Sequence, residues 1–149
     1  MIKHSEKRHS KYSSDQMFKL VADVESYPMF IPWCRSVNIL SSIENQEDRC
    51  EMLEVDMRVS FKVFSETFRS KVLLNRQSNE IKVDYITGPF KFLNNIWDFA
   101  DCNHGCIINF YVEFEFKSKM MQRLIGIVFN EAMRRIVISF EKRADQLYK

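Results

Sequence analysis

Apolar and polar positions along this chain recur with two different periods, and the switches between them outline its elements. Residues 3–12 are almost wholly polar and predict a short edge strand. Ser13-Ser14-Asp15-Gln16 then has the form of a helix start, with Gln16 in capping-box position behind Ser13. Met17, Phe18, Val21 and Val24 follow at helical spacing and give that helix one apolar face. Tyr27-Pro28 and Ile31-Pro32 stop it, because a residue before proline is pushed out of the α region. Residues 27–34 are therefore expected to form a compact turn holding one short helical turn.

From residue 37 to 116 the period is two. Leu53, Val55, Met57, Val59, Phe61 and Val63 share one face, with Glu54, Asp56, Arg58 and Lys62 on the other. The phase then flips to Phe64, Phe68, Val72 and Leu74. A one-residue slip exchanges the faces of a strand, so a turn or bulge is placed at 61–65. Ile81, Val83 and Tyr85 predict a further strand, Trp97 and Phe99 another, and Ile108, Phe110, Val112, Phe114 and Phe116 the last. Asn103-His104-Gly105 has hairpin chemistry, and Gly88-Pro89-Phe90-Lys91-Phe92-Leu93 is assigned to a loop. Connections this short pair strands antiparallel. Over 118–148 the period returns to that of a helix, with Met121, Ile125, Phe129, Ala132, Met133, Ile136, Phe140 and Ala144 in one stripe. One α+β domain covering 1–149 is expected.

Composition narrows the function. A chain of 149 residues that is 46% hydrophobic can bury a substantial core, and a net charge of +2 does not suit a dedicated DNA binder. The three glycines lie far apart, so no phosphate-cradling loop can be built from them. The polar start carries no apolar leader, and no stretch is long enough to cross a bilayer. A cytoplasmic chain with four free thiols is the expectation. Thirteen Phe and eight Met are the distinctive part of the inventory, because such side chains make adaptable walls for an apolar ligand. Cys102, His104 and Cys106 are the one cluster with metal-ligand chemistry, but they read equally well as a tight hairpin. The carboxylates alternate with apolar residues and fall on the wet face. Basic residues near the start and in the last helix read as solvated surface, with anionic headgroups or RNA as their alternatives.

Several blocks together resemble a known family. Tyr12-Ser13, Gln16-Met17-Phe18, Leu20 to Glu25, Tyr27-Pro28, Phe30 and Pro32-Trp33-Cys34 resemble the opening of the coenzyme-Q-binding START-domain family, which includes the bacterial RatA proteins. The likeness continues through Phe61-Lys62, Glu66, Phe68, Ser70 and Val72 to Gly88-Pro89-Phe90 and Leu93. It runs on through Asn95, Trp97, Phe99, Phe114 and Phe116 to Phe129 and Ala132. Ser60 and Val63 stand where the family often has glycine, and the two cysteines of the 102–106 turn depart from its pattern.

The resemblance implies a helix-grip fold (START/birch-pollen-allergen-like), a curved antiparallel sheet of six or seven strands around a long C-terminal helix. It also implies a non-enzymatic ubiquinone or prenyl-lipid chaperone that supports respiratory electron transport, without a cofactor and with peripheral contact at an inner membrane. Leu53, Val55, Met57, Val59, Phe68, Tyr85, Trp97, Phe110, Phe129 and Met133 are the expected ligand lining, and Phe61, Phe64, Phe90 and Phe92 the expected entrance. A RatA-type inhibitor bound to the large ribosomal subunit is the alternative. An aromatase/cyclase-like enzyme is the third reading, for which Tyr85 and Asn95 are the only inward polar candidates.

Overall fold

The computed structural model describes residues 1–61 and 64–149. In chain order they form β1 (Ile2–Ser10), α1 (Ser14–Ala22) and a 3-10 helix (Val24–Met29). Next come β2 (Cys34–Asn45), β3 (Cys50–Phe61), β4 (Phe64–Asn75) and β5 (Glu80–Thr87), then β6 (Phe90–Cys102), β7 (Gly105–Phe116) and α2 (Lys119–Tyr148). The seven strands make one antiparallel sheet in the order β1-β7-β6-β5-β4-β3-β2. Strands β2 to β7 are a meander of hairpins. The exception is β1, which lies at the far edge beside β7, so the chain returns across the concave side through α1 before β2 begins. That return puts α1 inside the curl of the sheet, together with α2.

Local chemistry accounts for the boundaries. The Ser13 hydroxyl accepts from Gln16 N and the Gln16 side chain accepts from Ser13 N, at 3.1 and 3.0 Å, closing the capping box. Ser118 caps α2 through Met121 N. Asn79 takes positive φ at the end of the β4–β5 turn, where Asn is well tolerated. At the β6–β7 turn Gly105 has φ +125, and a Cβ there would stand 1.8 Å from the carbonyl oxygen of Ser10. Only glycine lets β1 dock against this hairpin.

One assignment changes. β6 begins at Phe90, so only Gly88 and Pro89 form the turn, and residues 90–93 are strand. A register shift between Phe90 and Phe92 sets Phe90 opposite Phe116 on the inner face and Phe92 opposite Glu115 on the outer one. The pairing of Phe61 with Phe64 agrees with a turn or bulge at 61–65. Lys62 and Val63, placed on opposite faces by the alternation, lie outside the described residues.

Two apolar clusters fill the concave side. One gathers Met17, Phe18, Leu20 and Val21 of α1 with Leu53, Val55, Val72, Ile81, Phe99 and Phe140. The other gathers Phe64, Phe90, Phe114 and Phe116 with Ile125 and Phe129 of α2.

Candidate functional site

The concave side is not filled everywhere. Between β1, β6 and β7 on one side and the second half of α2 on the other lies a cavity of about 330 Å³. Trp97, Ile108 and Phe110 line it from the sheet, and Met133, Ile136 and Phe140 from the helix. Met17 and Val21 of α1 close its inner end. The Trp97 ring centroid lies 4.6 Å from that of Phe110 and 5.3 Å from that of Phe140, so three aromatic rings form one corner. Trp97 Nε1 donates to Asn95 Oδ1 at 3.0 Å, and Asn95 Nδ2 donates to the Tyr111 carbonyl at 2.9 Å. The indole N–H and the Asn95 amide are thereby occupied within the protein.

The remaining wall is polar and comes from the edge strand. His4, Glu6 and Arg8 pair with Val112, Phe110 and Ile108, all inward residues of β7, so these three also face inward. His4 Nε2 lies 3.1 Å from Glu6 Oε1, and Arg8 Nε lies 3.6 Å from Glu6 Oε2. Glu6 Oε2 is buried without a hydrogen bond to any described residue, so Arg8 is the charge that offsets it. Arg8 also bonds Glu141 of α2, which raises the guanidinium pKa further above its ordinary value. One turn on, Tyr12 donates to Asp145, while Lys11 Nζ lies 3.6 Å from the same carboxylate. The Tyr12 hydrogen bond lowers the Asp145 pKa. These bridges span the gap between β1 and α2 where the cavity meets solvent. Their titratable groups are engaged with one another, and no nucleophile–base pair emerges from them.

Of the ten residues expected to line the site, Trp97, Phe110 and Met133 do so. Leu53 and Val55 are core residues, 4% and 1% exposed, in the cluster that also holds the apolar face of α1. Met57 packs against that cluster. Val59, Phe68, Tyr85 and Phe129 belong to the second cluster. The Tyr85 hydroxyl accepts from Phe90 N at 3.1 Å and so braces the β5–β6 turn.

The entrance is likewise displaced from its expected place. Phe64 and Phe90 are buried, each packed on Phe116, with centroids 5.2 and 4.7 Å away. Phe61 stacks edge-on to Trp33, and Phe92 faces outward. Aromatic residues at this end found interior partners, so the opening is the β1–α2 edge instead. In the 102–106 turn, Cys102 and His104 are exposed while Cys106 is fully buried, which separates the three side chains. No group of three metal-ligating side chains occurs among the described residues. Met17, Val21, Ile108, Ile136 and Phe140 also line the cavity without having been among the expected lining, and so do His4, Glu6, Arg8 and Tyr12 of the polar edge. The alternation of that edge was visible, but a strand polar on both faces does not disclose which face turns inward.

A sheet gripping a long helix over an apolar cavity defines a class of proteins, and comparison places the chain within it. Residues 10–141 match the family model described as polyketide cyclase / dehydrase and lipid transport, and the chain belongs to that family. Ribosome association toxin RatA of Rickettsia prowazekii (strain Madrid E) is 34% identical over 148 residues, covering 95% of this chain and 97% of that one. The mitochondrial coenzyme Q-binding protein COQ10 homolog B of Xenopus laevis is 29% identical over 152 residues, covering 99% of this chain and 59% of that one. Among solved structures, the 18 kDa protein CC1736 of Caulobacter crescentus superposes with a TM-score of 0.83 at 30% identity, covering 99% of both chains. A START superfamily protein of Mycobacterium smegmatis shares the fold with a TM-score of 0.77 at 19% identity, covering 97% of this chain and 98% of that one. Among the described residues no helix is long and apolar enough to cross a membrane.

Proposed function

We propose that this protein is a non-enzymatic carrier of a prenylated lipid of the ubiquinone type, bound under α2. The cavity itself carries the reading. At about 330 Å³ it stands at the small end of ligand sites, which run roughly 300–1,000 Å³. That suits a substituted ring and its first isoprene units, with the rest of the tail leaving by the β1–α2 edge. Trp97, Phe110 and Phe140 offer ring faces to such a head, and burial of apolar area at about 25 cal/mol per Å² supplies the affinity. Engagement of His4, Glu6 and Arg8 with one another favours binding over catalysis. A relative named for coenzyme Q binding points the same way. The test is to purify the protein from a ubiquinone-producing host, extract it with solvent and analyse the extract by mass spectrometry. Quinone in stoichiometric amount is expected, and well-folded protein with no bound lipid overturns the reading.

A second reading, association with the large ribosomal subunit, is favoured by the 34% identity to a ribosome association toxin over nearly both full lengths. It predicts cosedimentation with that subunit that weakens steeply as salt rises, whereas ligand uptake into the cavity would be nearly insensitive to salt.

A further inference from the structure

The outer side of α2 is unlike an ordinary solvated helix face. Met120, Leu124 and Ile127 follow one another at i, i+4 and i+7, and they are 68%, 37% and 75% exposed. Ile138, three turns further along the same stripe, is 43% exposed. These residues lie opposite Ile125 and Phe129, which the sheet covers, so α2 is apolar on two sides. Lys119, Arg123, Arg134 and Lys142 flank the outer stripe, are exposed, and make no ion pair with any described residue. The acidic residues of α2 are already held: Glu131 by Arg135, Glu141 by Arg8, and Asp145 by Lys11 and Tyr12. Between Ile127 and Ile138 the same face carries Glu131 in its ion pair with Arg135, so the stripe is aliphatic from Met120 to Ile127 and again at Ile138, with the flanking cations along its margins.

We propose that this face of α2 is a docking surface for an anionic phospholipid bilayer, with the helix lying flat in the headgroup region. Aliphatic side chains gain by entering acyl chains, and the flanking cations gain from anionic headgroups. Neither competing partner meets both requirements. RNA matches the cations but gives Met120, Leu124 and Ile127 nothing to bury against, since it is bound through phosphates and stacked rings. A second copy related by a twofold axis buries the aliphatic stripe but sets its cationic margins against their own likeness. Glu141, at the mouth of the cavity, lies three residues from Ile138, so flat docking brings the β1–α2 edge to the water–lipid boundary. The proposal extends the lipid-carrier reading by saying where the carrier meets its membrane. Its residues are separate from those of the cavity.

The test is flotation of the full-length protein with vesicles of phosphatidylcholine alone and of phosphatidylcholine mixed equally with phosphatidylglycerol. Binding to the anionic vesicles and little to the neutral ones is expected. Ile127→Asp with Leu124→Ser lowers anionic binding by about tenfold or more, and Arg123→Gln with Arg134→Gln removes the preference for anionic lipid. All four positions are exposed, so the fold tolerates these changes, which a circular dichroism melt checks. Equal binding to both vesicle types, or binding indifferent to Ile127→Asp, overturns the proposal. So does a dimer in analytical ultracentrifugation that the same variant dissociates, or binding to ribosomal RNA that outcompetes the anionic vesicles. Uptake of a fluorescent prenyl lipid, followed without vesicles in both variants, separates the two readings. Lost docking with retained uptake defeats this proposal alone when it occurs in the wild-type protein, and docking without any uptake defeats the carrier reading alone.

Discussion

Arg8, on the edge strand, and Glu141, on the long helix, are 133 positions apart in sequence and joined by a hydrogen-bonded ion pair across the mouth of the cavity. Both are about half exposed, so the pair contributes little to stability, about 0–1 kcal/mol. Its effect falls on access. Glu141→Gln is expected to leave the melting temperature nearly unchanged and to speed release of a bound fluorescent prenyl lipid in stopped-flow measurements. An unchanged release rate would remove the bridge from any part in gating.

Filling the cavity separates binding from folding. Met133 lines it and is only partly buried, so Met133→Trp is expected to occupy the space next to Trp97 and Phe140 and to abolish lipid uptake with the fold intact. Val55→Arg is different, because Val55 is 1% exposed within the core cluster. It places an unpaired charge in apolar packing and is expected to unfold the protein. Uptake by Met133→Trp at wild-type level would mean that ligand binds elsewhere.

Gly105 couples the β6–β7 hairpin to the cavity wall. Its φ of +125 disfavours any side chain, and a Cβ would collide with Ser10 O at 1.8 Å. Gly105→Ala is expected to push the end of β1 away from β7, costing about 3 kcal/mol and weakening uptake along with stability. Hydrogen exchange at β1 amides checks this. Protection there equal to wild type would contradict it.

Stability should fall on the alkaline side. Burial pushes the thiols of Cys34 and Cys106 up from 9.0 to about 11, and it raises the Tyr27 hydroxyl as well. The folded state then holds these protons more tightly than the unfolded chain does. Their contribution is complete below the unfolded thiol value of 9.0 and is lost as pH rises through about 11. The melting temperature is expected to be level up to about pH 8.5 and to drop above it, less so in Cys106→Ala. Iodoacetamide should label exposed Cys102 well before Cys34 or Cys106. A melting temperature that stays level through pH 11 would falsify this.

What the sequence determined by itself is what short-range physics determines. The Ser13–Gln16 capping box, the strand faces of Leu53 to Val59 and of Ile108 to Phe116, the hairpin at Asn103-His104-Gly105 and the span of α2 all follow from side-chain spacing within a few residues. Strand β1 was legible as an edge for the same reason, since its polar residues suit an unpaired rim.

Depth was decided only by the tertiary structure. Val55 and Phe110 carry the same alternation and face the same concave side, yet Val55 is 1% exposed within the core cluster that includes Phe18 and Val21, while Phe110 borders open space. The difference arises because the core cluster closes over the β3 part of the curl, whereas beside β1 the sheet and the second half of α2 stand apart. Phe64 and Phe90 moved from a presumed rim to the interior because Phe116, many residues away, supplies the ring they pack on. His4, Glu6 and Arg8 became a cavity wall through their pairing with β7 and the approach of Glu141. Periodicity fixes which face a residue takes; which faces meet, and where they fail to meet, depends on contacts between segments far apart in the chain.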